Sequence, residues 1–102
     1  MHRRLPRPAD PLATLTPAMR DALEAALKSL ILTTRDGFAR ALAQADAPLC
    51  TAAALRALRD RGLFDRLEGG GFVLTRRGHR LARLSQHRRA NLQRFLASRS
   101  RA

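Results

Sequence analysis

Apolar residues recur at intervals of three and four along several segments of the chain, which is the spacing of an amphipathic helix. The first such segment begins after Thr16, a favourable N-cap residue, with Pro17 in the first helical position. The apolar positions that share one face of this helix are Met19, Leu23, Ala26, Leu27, Leu30 and Ile31. The pattern predicts a core helix that starts at about residue 17.

Residues 32–48 give a less regular pattern. It predicts a short extended piece at Leu32 to Thr34 and then a second helix from about Asp36 to Ala45, which would bury Phe38 and Leu42. Pro48 prevents the helix from continuing. The connection that follows Ala45 is as short as the turn of a helix-turn-helix unit.

A third helix is predicted over residues 51–61, with Thr51 as its cap or first residue and Gly62 at its end. Leu55 and Leu58 face inward with Thr51. The outward residues are Ala53, Arg56, Ala57 and Asp60. Most of these side chains are short, so a large partner can approach this face closely.

The segment 63–75 predicts an antiparallel hairpin. "LFDRL" and "FVLT" are rich in strand-forming residues, and "EGGG" between them supplies the positive-φ residues that a tight turn needs. Thr75 then caps a long final helix, which carries Leu81, Leu84, Leu92, Phe95 and Leu96 along one side.

The order of these elements, together with "LRALRDRGLFDRL...GGGFVLTRRGHRLARL", resembles the winged helix-turn-helix family, and its second half is similar to MarR-type bacterial regulators. In that family a recognition helix runs into an Arg-Gly-Leu step, a wing hairpin and an "LTxxGxxL" entry to the next helix. The matching residues here are Leu74, Thr75, Gly78 and Leu81. The resemblance covers about residues 16 to 84. It implies a mainly α (α+β) fold, a three-helix core with a two-stranded β-hairpin wing and a long C-terminal helix.

The resemblance also implies a DNA-binding site. The helix 51–61 would enter the major groove with Thr51, Ala52, Ala53 and Arg56 facing base edges, and Arg56 would donate two hydrogen bonds to a guanine. The wing 63–75 would lie on the DNA backbone or in the minor groove. Arg66 of the wing, together with Arg35 and Arg40 near the second helix, would contact phosphates or the minor groove. The remaining arginines of the expected DNA-binding set are Arg59, Arg76 and Arg77.

Charge independently indicates a polyanionic partner. The chain has 102 residues with 20 Lys and Arg against 8 Asp and Glu, a formal net charge of +12. Lys28 is the one lysine, so nearly all of the positive charge is on planar guanidinium groups, which bind phosphate or guanine through two hydrogen bonds. Double-stranded DNA is therefore the expected partner.

Other classes of site lack support. The single cysteine, Cys50, rules out an internal disulfide and a multi-cysteine zinc site, and His79 and His87 are about 12 Å apart along one helix, too far to share a metal ion. No Ser, His and Asp set or carboxylate pair has catalytic spacing, so neither an enzyme nor a cofactor is predicted. No window is apolar for the ~18 residues of a membrane span, and a cytoplasmic, nucleoid-associated protein is expected.

The two ends of the chain are predicted to lie outside the domain of residues 15–84. Residues 1–14 are basic and proline-rich, which predicts a disordered arm. Residues 85–102 continue the final helix as a basic extension. Its apolar patch, Leu92, Phe95 and Leu96, needs a cover, most simply the same patch of a second copy, which predicts a homodimer.

Three functions remain open from the sequence. The leading one is a sequence-specific DNA-binding transcriptional regulator, most simply a repressor that occupies a promoter. The second is an interaction module that docks on another protein through Leu92, Phe95 and Leu96. The third is non-specific coating of nucleic acid by charge alone, although the absence of Trp and Tyr removes the stacking platform that single strands need.

Overall fold

The computed structural model describes residues 10–99, which form one α+β domain. Its elements are, in chain order, α1 (Pro17–Ala26), β1 (Ile31–Thr33), β2 (Phe38–Ala41), β3 (Gln44–Thr51), α2 (Ala52–Asp60), β4 (Phe64–Arg66), β5 (Phe72–Leu74) and α3 (Arg76–Arg99). The strands make one antiparallel sheet in the order β3-β2-β1-β5-β4. The largest side chains buried in the core are Leu23, Ile31, Leu55, Leu58 and Phe64.

The first helix begins as predicted but ends earlier, at Ala26, and Ile31, predicted to lie on its apolar face, is the first residue of β1. Thr16 has extended backbone geometry, and its hydroxyl oxygen accepts a hydrogen bond from the backbone N–H of Met19 at 3.1 Å. Leu23 is fully buried on the inner face of α1. Residues 11–14 form a turn before the helix, and this turn places Leu12 and Leu15 in the core. Residues 1–9 of the predicted arm lie outside the described residues.

The predicted helix from Asp36 to Ala45 is wrong. The structure has the strands β2 and β3 there, so the chain contains no helix-turn-helix in its described part and the predicted three-helix core is not formed. The core is instead built from two helices and the start of α3 packed on a five-stranded sheet. The expectation of a mainly α, winged helix-turn-helix fold is thereby overturned.

A tight turn explains why strands form in this segment. Gly37 has a φ of +85°, which favours glycine, and its N–H donates to the Thr34 carbonyl at 3.0 Å. The N–H of Thr34 donates in turn to the Phe38 carbonyl at 3.0 Å, which closes a hairpin between β1 and β2. Asp-Gly is a strong hairpin signal, and here it outweighs the helical propensity of the alanines and leucine that follow.

Burial along β2 follows the two-residue period of a strand. Ala39 and Ala41 are buried against α1 and the core, whereas the two large side chains predicted to be buried, Phe38 and Leu42, are 39% and 58% exposed. Pro48 lies on β3, an edge strand whose pairing with β2 is irregular on both sides of Arg40. An edge strand tolerates the missing N–H of a proline.

The second half of the chain forms the predicted elements. Thr51 caps α2 by accepting a hydrogen bond from the Ala54 N–H at 3.1 Å, and the hairpin pairs Phe64 with Leu74 and Arg66 with Phe72. The glycines of the hairpin tip all have positive φ, as predicted. A single residue pair, Ile31 with Phe72, joins this hairpin to the rest of the sheet.

The start of α3 is fixed by Thr75 and Gly78. The Thr75 hydroxyl accepts a hydrogen bond from the Gly78 N–H at 3.0 Å and donates to the Gly62 carbonyl at 2.6 Å. A Cβ on Gly78 would lie 2.0 Å from the Leu63 carbonyl oxygen, so only glycine fits this close approach. Beyond Arg89, α3 extends with few tertiary contacts, and Leu92, Phe95 and Leu96 are more than half exposed.

Candidate nucleic-acid interface

A groove lies between α2 and the β4–β5 hairpin and has a volume of about 250 Å³. We call it the arginine groove, because three guanidinium groups surround it. Its lining residues are Thr33, Ala52, Arg56, Arg59, Arg66, Gly70, Gly71 and Phe72. Two helical arginines and one from the hairpin thus meet at one concave surface.

Helical spacing places the arginines of α2 together. Ala52, Arg56 and Arg59 follow one another at intervals of four and three residues, so they share one face of the helix. Leu55 and Leu58 are fully buried on the opposite, inner face. The alternation of buried leucines and exposed arginines therefore turns both cations of α2 toward the groove.

Side chains alternate along the β4–β5 hairpin, so Arg66 lies on the groove side and the neighbouring Asp65 lies on the other side. Arg66 is paired with Phe72 and shares the sheet face of that residue, which is also the groove side. Asp65 pairs with Val73 and points to the other face because side chains alternate along a strand. No carboxylate is consequently among the residues that line the arginine groove.

The three guanidinium groups of the groove make no hydrogen bond or ion pair with any described residue. All three residues are exposed. Like charges that converge without counter-charges raise the positive potential of the groove and repel one another slightly. A bound anion would therefore be attracted by all three guanidinium groups and would reduce the repulsion between them.

Arginines between α1 and α3 have the opposite environment. Arg89 lies 2.9 Å from an oxygen of Asp21 and 3.0 Å from one of Glu24, and the hydrogen bond to Asp21 raises the pKa of the Arg89 guanidinium. Arg88 contacts Asp10 at 2.7 Å, and this hydrogen bond, with one from the Leu12 N–H, lowers the pKa of Asp10. We call this region the α1–α3 contact.

A buried serine lies at the centre of the α1–α3 contact. Ser85 is fully buried, and its hydroxyl donates to Glu24 Oε2 at 2.9 Å while it accepts from Arg20 Nε at 2.9 Å. The hydroxyl thereby acts both as a donor and as an acceptor. Arg20 is held inside the fold by this bond and is not offered to a partner.

Arg40, predicted to contact phosphate, is also held within the fold. Its guanidinium lies 2.8 Å from Asp36 Oδ2 and donates to the Ala45 carbonyl at 2.9 Å. Hydrogen bonds from Thr34 and Arg40 lower the pKa of Asp36 to about 2. Arg40 thus joins the β1–β2 turn to the start of β3, and it is not part of the arginine groove.

The other predicted DNA-binding residues are distributed over the surface. Thr51 uses its hydroxyl to cap α2, and Ala53 is exposed beside the groove face. Arg35 is exposed in the β1–β2 turn, and Arg76 is exposed at the start of α3. Arg77 lines a different groove, of about 340 Å³, with Arg61 and Leu81. Of the predicted set, the structure brings Ala52, Arg56, Arg59 and Arg66 together.

Two parts of the groove were not predicted. Thr33 reaches it from the end of β1, and the backbone of Gly70 and Gly71 forms part of its wall. The sequence predicts the glycine run as a turn, and the packing of β4 against α2 brings this turn beside the helix. No local sequence signal places Thr33 next to Arg56.

Residues 10–99 give little support for a reactive cysteine, a metal site or a membrane-spanning helix. Cys50 is buried, and burial raises the pKa of its thiol, which disfavours the reactive thiolate. No three His, Cys, Asp or Glu side chains of the described chain are grouped as a metal ion would require. Within the same range, no helix has the length and apolar character needed to cross a membrane.

Comparisons with known proteins identify no relative. No protein-family model matches the chain, and neither a curated protein nor a solved structure is significantly similar to it. The functional conclusion therefore rests on the residues and their geometry.

Proposed function

We propose that this protein binds double-stranded DNA through the arginine groove. The observation that carries the proposal is the convergence of Arg56, Arg59 and Arg66, all exposed and none with a partner among the described residues, at a concave surface that no acid lines. Guanidinium groups in such an arrangement suit a ligand that presents several anionic or acceptor groups at once.

The shape of the groove supports a duplex as the ligand. An α-helix fits the major groove of B-DNA, and the short side chains of Ala52 and Ala53 let α2 approach it closely. The β4–β5 hairpin, beside α2, then reaches the adjacent backbone with Arg66. Helix and hairpin would act together without a helix-turn-helix.

Single-stranded nucleic acid is a poorer fit. Proteins that bind single strands stack bases on exposed aromatic rings. The one aromatic residue of the arginine groove, Phe72, is 6% exposed and belongs to the core. A-form RNA has a major groove too narrow for a helix, so B-form DNA remains the ligand that α2 fits best.

We further propose that DNA binding serves transcriptional regulation, most simply repression by occupying a promoter. Support for this role comes from the two guanidinium groups and the short alanine side chain on the groove face of α2, which suit contact with base edges. A specific regulator is expected to prefer its site over other DNA by about a thousandfold or more.

The test measures the affinity of the protein for a fluorescent pool of 24-base-pair duplexes of random sequence. Fluorescence anisotropy reports binding at each salt concentration of a series. The variant R56A/R59A/R66A should lose about a hundredfold in affinity, because each arginine contributes roughly 1 kcal/mol or more to the contact. Its plot of log affinity against log salt should also become shallower by about 0.9 for each lost phosphate contact.

A matched control is R80A/R83A/R94A, which removes the same number of charges from exposed positions of α3 outside the groove. This control should keep most of the affinity. Equal losses in both variants would indicate coating by overall charge and would refute a dedicated groove. Absence of duplex binding by the wild-type protein at low salt would refute DNA binding itself.

A further inference from the structure

The groove face of α2 offers a narrow choice of hydrogen-bonding groups. Its members are Ala52, Arg56 and Arg59, which bring guanidinium donors and methyl groups and no amide or carboxylate. The one acid of α2, Asp60, follows Arg56 by four residues but is not among the residues that line the groove. α2 can therefore donate to a base at the groove and cannot accept from one.

Because the groove face of α2 carries donors and no acceptors, it should prefer a base that presents acceptors. Guanine is the base that presents two acceptors, N7 and O6, in the major groove, and a guanidinium satisfies both. Adenine requires a group that donates and accepts, as an amide does, and cytosine requires an acceptor. Neither type of group lies on the groove face of α2.

Spacing along the helix indicates how the guanines would be arranged. Arg56 and Arg59 are separated by three residues, which is about 4.5 Å at 1.5 Å per residue. Successive base pairs of one strand are about 3.4 Å apart. Two arginines that extend from one helix face thus reach neighbouring base pairs more readily than distant ones.

We infer that α2 reads guanines in two neighbouring base pairs, one through Arg56 and one through Arg59, with Arg66 on the backbone. This inference rests on the proposed function. The methyl groups of Ala52 and Ala53 lie toward the start of α2, where they leave room for thymine methyl groups on that side of the guanines. The preferred site would combine a guanine-containing step with neighbouring thymine.

The test begins with selection of bound duplexes from a random pool by the full chain, which should enrich a step with guanine in both base pairs. Each guanine of the selected site is then replaced by 7-deazaguanine, which removes the N7 acceptor and leaves Watson–Crick pairing intact. Affinity should fall about tenfold at each of the two positions, within the range for a good bidentate contact.

Single variants assign each contact. In R56A, 7-deazaguanine at one of the two positions should have no further effect, and R59A should do the same for the other position. R66A is the matched control, because it removes a groove arginine that the inference assigns to the backbone. It should weaken binding while both 7-deazaguanine effects persist.

The outcomes separate this inference from the proposal beneath it. Tight duplex binding that 7-deazaguanine leaves unchanged, or selection of sites without guanine, overturns base reading by α2 and leaves DNA binding in place. Loss of both 7-deazaguanine effects in R66A also overturns the assignment. No duplex binding by the wild-type chain removes the inference and the proposed function together.

Discussion

The α1–α3 contact and the arginine groove use the same side chain in opposite surroundings. In the α1–α3 contact, Arg88 and Arg89 lie within 3.0 Å of carboxylate oxygens. Around the groove, Arg56 and Arg59 have no partner in the described chain. The difference shows that the 20 Lys and Arg residues do not share one environment. The fold pairs some of them with carboxylates, and others are left for a ligand.

The placement of the acids produces this difference. Asp21 and Glu24 lie on α1 opposite the arginines of α3, whereas Asp65, next to Arg66 in sequence, is turned to the other face of its hairpin. Exposed ion pairs add little stability, with typical values of about 0 to 1 kcal/mol. The pairs of the α1–α3 contact chiefly orient α3, while the free arginines of the groove remain available for binding.

The largest expected effect concerns the part of α3 beyond this contact. The sequence-based prediction of a homodimer through Leu92, Phe95 and Leu96 remains a prediction, and the structure leaves all three side chains more than half exposed. If the prediction holds, L92E/F95E should reduce the mass measured by sedimentation to that of a monomer. Charged residues at a small apolar interface remove its favourable burial and add repulsion.

The matched control for that experiment is Q86E/Q93E, which places the same charges at exposed positions of α3 that point away from Leu92 and Phe95. It should leave the mass unchanged. A wild-type protein that sediments as a monomer at micromolar concentration would contradict the homodimer prediction, and the apolar patch would then have to serve another partner or none.

The next effect would test the α1–α3 contact itself. Ser85→Ala removes the hydroxyl that joins Glu24 to Arg20 and leaves two polar groups beside a fully buried site. The free energy of unfolding should fall by about 1 to 3 kcal/mol, measured by urea denaturation followed by circular dichroism. Ser98→Ala, at an exposed position near the end of α3, should change it by less than about 0.5 kcal/mol.

A smaller change in stability is expected when one arginine is replaced in each region, the α1–α3 contact and the arginine groove. Arg89→Ala should lower the free energy of unfolding by about 0.5 to 1 kcal/mol, because the Arg89 side chain is about half exposed. Arg56→Ala, which removes the same charge from the groove, should change it by no more than about 0.5 kcal/mol in either direction. Equal destabilisation by the two variants would show that pairing Arg89 with carboxylates adds nothing to the free energy of unfolding.

The smallest effect is the pH dependence at the β1–β2 turn. The pKa of Asp36 is lowered to about 2 from an ordinary value of 3.8, so the folded state favours the ionised carboxylate. The stability that this contributes is present above pH 3.8 and is lost as the pH falls toward 2. Asp36→Asn should therefore flatten the decline of the melting temperature between pH 4.5 and 2. An unchanged slope would contradict the lowered pKa.

Local signals explain which elements the sequence predicted correctly. Thr16, Thr51 and Thr75 each cap a helix by accepting a backbone hydrogen bond, and such caps are legible from neighbouring residues alone. The hairpin of β4 and β5 follows from its glycine tip and strand-forming flanks. The predicted helix over 36–45 is wrong because the Asp36-Gly37 turn outweighs the local preference of alanine and leucine for helix.

The sequence by itself determined the helix caps, the second hairpin, the excess of arginine and the exposed face of α2, because each depends on residues within a few positions of one another. Tertiary structure alone decided which arginines are free. Arg89 meets Asp21 across 68 positions of sequence, and Arg66 reaches the groove because β4 packs against α2. Charge pairing depends on distances of a few ångströms between distant segments, and only the folded chain sets those distances.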